Sequence, residues 1–197
     1  VSAAYLQLHT ARLMLQAPDA TPASPQVEAV ADFYRRNSAH FAPWDPPLPP
    51  DHAAPDQVAQ ALAEGAEAFA TGRALRWWLT PASQPGWVIG QVHLSGIARG
   101  AFQSYNLGYA LDGNSQGQGL MHEALRAVLD EAFSPRVNLH RIQAAVRPEN
   151  HRSLAVLARL GFTDIGLARA YLFIHGDWRD HRLFALTNPG FMRPADW

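Results

Sequence analysis

The feature that most restricts the fold is the stretch Asp112-Gly113-Asn114-Ser115-Gln116-Gly117-Gln118-Gly119-Leu120-Met121. It joins a strand-like segment, Gln103 to Leu111, to the most regular helical pattern in the chain, Leu120 to Phe133. In that helix Met121, Ala124, Leu125, Val128, Ala132 and Phe133 recur on one face. Glycines between strand and helix let the backbone turn tightly and approach a ligand. A helix that starts there leaves unpaired N–H groups at the positive end of its dipole. Such a turn favours a phosphate or pyrophosphate. On spacing alone a plain connection is the equal alternative, so the surrounding elements and residues have to decide.

Tyr5 to Leu8 and Arg12 to Gln16 read as short strands, the second with Leu13 and Leu15 on one face. A helix follows Pro25, carrying Val27, Val30, Ala31, Phe33 and Tyr34 to about Phe41. Five prolines in the eight residues Pro43 to Pro50 rule out helix or central strand there and predict a stiff surface connection. A second amphipathic helix spans about Asp56 to Ala70 and stops at Gly72. Leu75 to Thr80, Trp87 to Ser95 and Gln103 to Leu111, with short links, predict an antiparallel meander. After the helix ending at Pro135 come a strand from Leu139 to Val146 and a helix capped by Asn150, with Leu154, Leu157, Ala158 and Leu160 before Gly161. Gly166 to Ile174 and Trp178 to Thr187 form two long strands joined through Gly176-Asp177. The expected fold is α/β: a mixed, mostly antiparallel sheet of about seven strands flanked by about four helices, in one domain over residues 1–197.

Composition removes several classes of function. The chain has no cysteine, which excludes disulfides, thiolate nucleophiles and cysteine-based zinc sites. His122-Glu123 lacks the second histidine of a zinc helix, and no metal is expected. A net charge of -1 argues against direct nucleic-acid binding. All 16 Lys+Arg positions are arginine, a usage that reads as genome composition. Without a lysine, a nucleotide-triphosphatase phosphate loop is excluded. A dinucleotide fold would need Gly-x-Gly-x-x-Gly, yet Gly117-Gln118-Gly119 is followed at the sixth position by His122 and preceded by a meander. No run approaches the roughly 20 apolar residues of a membrane span. Val1 to Gln16 lacks the pattern of a signal peptide, so a cytoplasmic protein is expected. Val1 is not an initiator residue, which leaves open what precedes it.

Gln116-Gly117-Gln118-Gly119-Leu120-Met121 resembles the pyrophosphate-binding signature Gln/Arg-x-x-Gly-x-Gly/Ala of the GCN5-related N-acetyltransferase superfamily, with Met121 in place of a small last residue. Further segments resemble the ribosomal-protein (alanine/serine) N-terminal acetyltransferase branch in the same order. These are Arg12-Leu13-Met14-Leu15, Asn37 with His40-Phe41-Ala42-Pro43-Trp44, Leu107-Gly108-Tyr109 and His140-Arg141-Ile142. Pro148-Glu149-Asn150-His151-Arg152-Ser153, Leu160-Gly161-Phe162 and Gly176-Asp177-Trp178-Arg179-Asp180-His181 complete the set. The resemblance covers about residues 8 to 187.

The resemblance implies the acyl-CoA N-acyltransferase fold, in which the sheet splits like a V, and acetyl-CoA as cosubstrate. It implies that Leu107, Tyr109, Ala110 and Leu111 pair with the pantetheine arm and that Gln116, Gly117, Gln118, Gly119, Leu120 and Met121 hold the pyrophosphate. Asn150 and Ser153 would contact the cosubstrate near its thiol end, with helix capping as their alternative role. Asn37, Phe41, Trp44 and Tyr171 are candidates for the acceptor side, though each could equally be core. The tyrosine that many superfamily members carry in the second helix corresponds to Leu157. The glutamate that some N-terminal acetyltransferases place after the Leu-Gly-Phe turn corresponds to Ile165, beside Asp164. Ser153 is therefore the candidate acid for the thiolate, and Asp45 the candidate base or amine-binding carboxylate.

The implied reaction is acetyl transfer to an amine, with the N-terminal α-amine of a protein such as a ribosomal protein as acceptor. A small-molecule amine acceptor and a catalytically silent acyl-CoA-binding module are the alternatives. The chain is expected to work as a monomer or homodimer, without a membrane.

Overall fold

The computed structural model describes residues 7–193, with the side chain of Ile97 outside that description. The described residues form one eight-stranded sheet and four α-helices. The strands are β1 (Gln7–His9), β2 (Leu13–Gln16), β3 (Leu75–Pro81), β4 (Gly90–Ala98), β5 (Ser104–Leu111), β6 (Arg141–Val146), β7 (Thr163–Ile174) and β8 (Asp177–Thr187). The helices are α1 (Pro25–Phe41), α2 (Pro55–Ala70), α3 (Leu120–Phe133) and α4 (His151–Arg159). Of the expected first strand, Tyr5 and Leu6 lie outside the described residues.

The strand order is β1-β2-β3-β4-β5-β6-β8-β7, antiparallel at every pairing except β5 with β6. That parallel step needs a long crossover, which α3 supplies. β5 and β6 pair only between Ser104–Leu107 and Arg141–Ala144. Beyond Leu107 the strands part: β5 runs on to Leu111 against β4 alone, and β6 to Val146 against β8 alone. The sheet opens as the expected V, with Gly108 at its apex.

One core lies between the sheet and α3, where Trp77, Leu94, Tyr105, Leu125 and Ile142 are almost wholly buried. Each large apolar side chain removed from water there contributes about 1.5–3 kcal/mol. A second cluster joins α1 and α2 to the opposite face through Val30, Phe33, Val58, Leu62 and Trp78. Ser24 begins α1 by accepting a hydrogen bond from the Gln26 N–H at 3.2 Å, and Pro25 suits the first turn. Among the described residues, no helix is long and apolar enough to cross a membrane.

Several boundaries differ from the sequence reading. β4 starts at Gly90 because the chain from Trp87 is still leaving a turn, and it reaches Ala98 because a bulge with Gly96 at φ 61° carries the pairing past Ser95. β7 starts at Thr163 by a second bulge, at Ile165. The hairpin turns through His175 and Gly176, at φ 50° and 80°, while Asp177 already faces Ile174. Two positive φ values in a two-residue loop match the strand twist.

Candidate active site

The turn between β5 and α3 is fastened from three sides. Asp112, almost fully buried, accepts hydrogen bonds from Asn37 Nδ2 at 3.0 Å, Arg36 Nε at 2.7 Å and the Asn114 N–H at 2.9 Å. Asn37 Oδ1 accepts from the Gly113 N–H at 3.1 Å. Burial alone would raise the Asp112 carboxyl, but these hydrogen bonds and the Arg36 charge outweigh it and hold it below the usual carboxylate range. Asn37, a candidate for the acceptor side, has both side-chain polar atoms committed to the Phe33 carbonyl and this turn. It positions the turn from within α1.

On the second side, Gln116 bridges His40 Nε2 of α1 at 2.9 Å and Arg152 Nη1 of α4 at 2.6 Å. On the third, Arg12 donates to the Gln118 carbonyl at 2.9 Å and to Glu123 at 2.7 Å, and Thr10 donates to Glu123 at 2.6 Å. Between these anchors Gly117, Gln118 and Gly119 are exposed, and the two glycines have φ of 78° and 76°. The N–H groups of Gly117, Gln118, Gly119, Leu120 and Met121 find no acceptor within the described protein. Unpaired N–H groups at a helix N-terminus make this turn suited to an anion. The Met121 side chain is buried in the core below the turn, so its place in the motif leaves the N–H accessible without demanding a small residue.

At the V itself, the Tyr109 hydroxyl lies 2.6 Å from Ser153 Oγ. Tyr109 belongs to the free half of β5 and Ser153 to the first turn of α4, where Asn150 caps the Ser153 N–H at 3.1 Å. Burial pushes the Tyr109 phenol up to about 12, partly offset by its hydrogen bond to Ser153. Sequence reasoning drew only on the backbone of Tyr109, and the structure adds its hydroxyl. Leu157 is fully buried in the core, and Asp164 is engaged by Arg182 and by the Gly166 N–H at 2.9 Å. Ile165 is exposed and apolar. None of the three supplies a free acid or base.

The loop after α1 meets the far wall of the V. Arg147, just past β6, donates to the Pro43 carbonyl at 2.5 Å and lies 5.4 Å from the Trp44 ring centre. Phe41 packs against Phe33 at 5.4 Å. Burial raises the Asp45 carboxyl to about 6, and its charge acts on Tyr34 beside it. Tyr171 is exposed on β7, near His181, rather than in the core.

His93 was not singled out by the sequence. It faces Gly108 across β4–β5, and its ring lies so close that a Cβ on Gly108 would come within 2.3 Å of it. Its Nδ1 is buried without a partner. Burial first, and the Arg76 charge second, lower the ring to about 4, so it is neutral near pH 7.

Exposed N–H groups at a helix N-terminus, an open strand edge and a half-buried phenol–hydroxyl pair meet at one V-shaped split, an arrangement suited to a transferase that takes an acyl group from a phosphate-bearing carrier. The acetyltransferase (GNAT) domain matches residues 12–163, and the chain belongs to this family as an acetyl-CoA-dependent N-acetyltransferase. Among its relatives, the [ribosomal protein uS5]-alanine N-acetyltransferase of Escherichia coli (strain K12) is 38% identical over 160 residues, 81% of each chain. The ribosomal-protein-S5-alanine acetyltransferase structure from Vibrio fischeri is 31% identical with a TM-score of 0.88, covering 95% of this chain and 99% of that one. RimJ from Mycobacterium smegmatis, solved in complex with CoA-disulfide, is 31% identical with a TM-score of 0.79, covering 93% of this chain and 85% of that one.

Proposed function

We propose that this chain acetylates the N-terminal α-amine of a ribosomal protein in the cytoplasm, with the V-shaped split as its reaction centre. The observation that carries the reading is the Tyr109–Ser153 pair beside the free half of β5, in line with the unpaired N–H groups of the turn. The named substrates of the similar enzymes support the choice of acceptor.

Acetyl-CoA, when bound, supplies an acetyl group activated as a thioester. The turn from Gln116 to Met121 holds its pyrophosphate, and the free edge of β5 from Leu107 through Tyr109, Ala110 and Leu111 orients the pantetheine arm. Asn150 fixes the start of α4 and thereby Ser153. The Ser153 hydroxyl passes a proton to the departing thiolate sulfur and recovers one from solvent. A phenol with a raised pKa is a weak acid but a stable hydrogen-bond donor, so Tyr109 orients Ser153 and stays protonated.

An α-amine with an ordinary pKa of roughly 7.7–8.0 reaches its neutral form far more easily than a lysine amine at roughly 10.4. Asp45, with its carboxyl near 6, accepts the amine's proton directly or through water. Phe41 and Trp44 wall the acceptor side with the loop, and Tyr171 approaches it from the hairpin.

The test is thiol release from acetyl-CoA with short peptides beginning Ala, Ser or Met, set beside polyamines and aminoglycosides. Turnover with peptides alone supports the reading. Turnover with the small amines alone replaces it with a small-molecule acetyltransferase.

A further inference from the structure

Arg76, His93 and Gly108 occupy one row across the sheet. Arg76 faces His93 in the β3–β4 register, and His93 faces Gly108 in the β4–β5 register. Strands spaced about 4.8 Å apart put the Arg76 backbone about 10 Å from the apex of the V. The row lies on the face covered by α1 and α2, and Arg76 and His93 both line a groove of about 420 Å³ between those helices and the sheet. Most of that lining is apolar, including Leu48, Val58, Leu62 and Trp78.

The Arg76 guanidinium is half-buried there. It donates to Gln91 Oε1 at 2.6 Å, interacts with the Tyr34 hydroxyl and lies 5.6 Å from the Trp78 ring centre, and none of these partners is a carboxylate. Among the described residues no carboxylate pairs with it. Glu64 also lines the groove, but it accepts a hydrogen bond from Gln60 at 2.9 Å. A guanidinium in an apolar groove, already oriented by Gln91 and lacking an anion, gains most from a carboxylate brought to it with its water removed. The neighbouring Nδ1 of His93, buried and unpartnered, adds an unmet polar group to the same wall.

We propose that Arg76 receives a carboxylate carried by the acceptor peptide on its second or third residue, so that this chain selects N-termini with Asp or Glu close behind the acetylated residue. The inference rests on the N-terminal reading above, with the α-amine at the apex beside Gly108. An extended peptide advances about 3.3–3.6 Å per residue, so the second and third residues lie about 3.5 and 7 Å beyond the first, and a carboxylate side chain on either spans the rest of the way to the Arg76 guanidinium. The same guanidinium repels a lysine at those positions and a polyamine throughout.

The experiment compares short peptides beginning with Ala that differ only in carrying Glu, Gln or Lys at the second or third position. The wild-type chain is expected to favour Glu over Lys by about tenfold or more in kcat/KM, mainly through the peptide KM. Arg76→Gln is expected to bring the ratio close to one with the KM for acetyl-CoA unchanged, and Arg76→Glu to invert it. Equal kcat/KM for the three wild-type substrates overturns the proposal, as does a preference that survives in Arg76→Gln. Acetylation of every peptide without charge preference sinks this inference alone, whereas no acetylation of any peptide sinks the N-terminal reading with it.

Discussion

Tyr109 and Ser153 meet across the open half of the sheet, with 2.6 Å between their side-chain oxygens. The contact closes the V at the depth where β5 has lost its partner strand, and in the proposed mechanism these two hydroxyls serve the departing thiolate. Tyr109→Phe and Ser153→Ala are each expected to lower kcat by about 10–100-fold with little change in the KM for acetyl-CoA. The double variant is expected to be no worse than the poorer single one, because the two act as a unit. Steady-state kinetics on the four proteins checks this, and additive losses would contradict a shared role.

The Asp112 anchor ties the turn after β5 to α1 and so contributes to stability. Asp112→Ala leaves Asn37 and Arg36 without their buried acceptor and is expected to cost about 2–4 kcal/mol. Its carboxyl is held low in the folded state, so the stability it provides is present above the ordinary value of 3.8 and is lost as pH falls through the lower folded value. Urea titrations at pH 7 and pH 3 check both statements: the gap between wild type and variant narrows at the lower pH.

Gly108 is glycine because the His93 ring occupies the space of its side chain. Gly108→Ala is expected to destabilise the protein by about 1–3 kcal/mol. Adding His93→Ala removes the ring and is expected to recover most of that loss relative to His93→Ala alone. A double-variant cycle in thermal unfolding reads the coupling, and simple additivity would mean that the ring is not the obstacle.

How far the sequence led can be judged from such residues. The 3.6-residue pattern located α1 and α3, and the glycines at 117 and 119 marked the tight turn before α3, because both signals are local. Arg12 and His40 stood in the family-like segments, but their hold on the turn is a contact between distant elements. The same is true of the Tyr109 hydroxyl: whether a tyrosine on a strand faces core or cleft depends on where its neighbouring strand stops. Nothing local in the sequence marks His93 and Arg76, since only the strand register aligns them with Gly108. The hairpin turn was misplaced by one residue because Gly176-Asp177 is the stronger dipeptide signal, while His175 accepts a positive φ in the fold.

Two half-buried groups near the acceptor side titrate in opposite senses. The His93 ring is lowered from 6.5 to about 4, so the unfolded chain gains a proton first and stability falls as pH drops from about 6.5 to about 4. The Asp45 carboxyl is raised from 3.8 to about 6, so the unfolded chain loses its proton first and stability falls as pH rises from about 4 to about 6. His93→Gln is expected to remove the first loss and to gain about 2 kcal/mol on the wild type near pH 4, compared with the difference at pH 7. Asp45→Asn is expected to be the more stable protein above pH 6, by about 1–2 kcal/mol. Melting temperatures of the three proteins from pH 4 to pH 8 read both windows.

The most direct measurement pairs two peptides in one reaction with isotopically labelled acetyl-CoA: one with a free N-terminal alanine and no lysine, the other with a blocked N-terminus and an internal lysine. Mass spectrometry then locates the label. The account predicts one acetyl group on the α-amine of the first peptide and none on the second. Label on the lysine, or binding of acetyl-CoA with no transfer to either peptide, would contradict it.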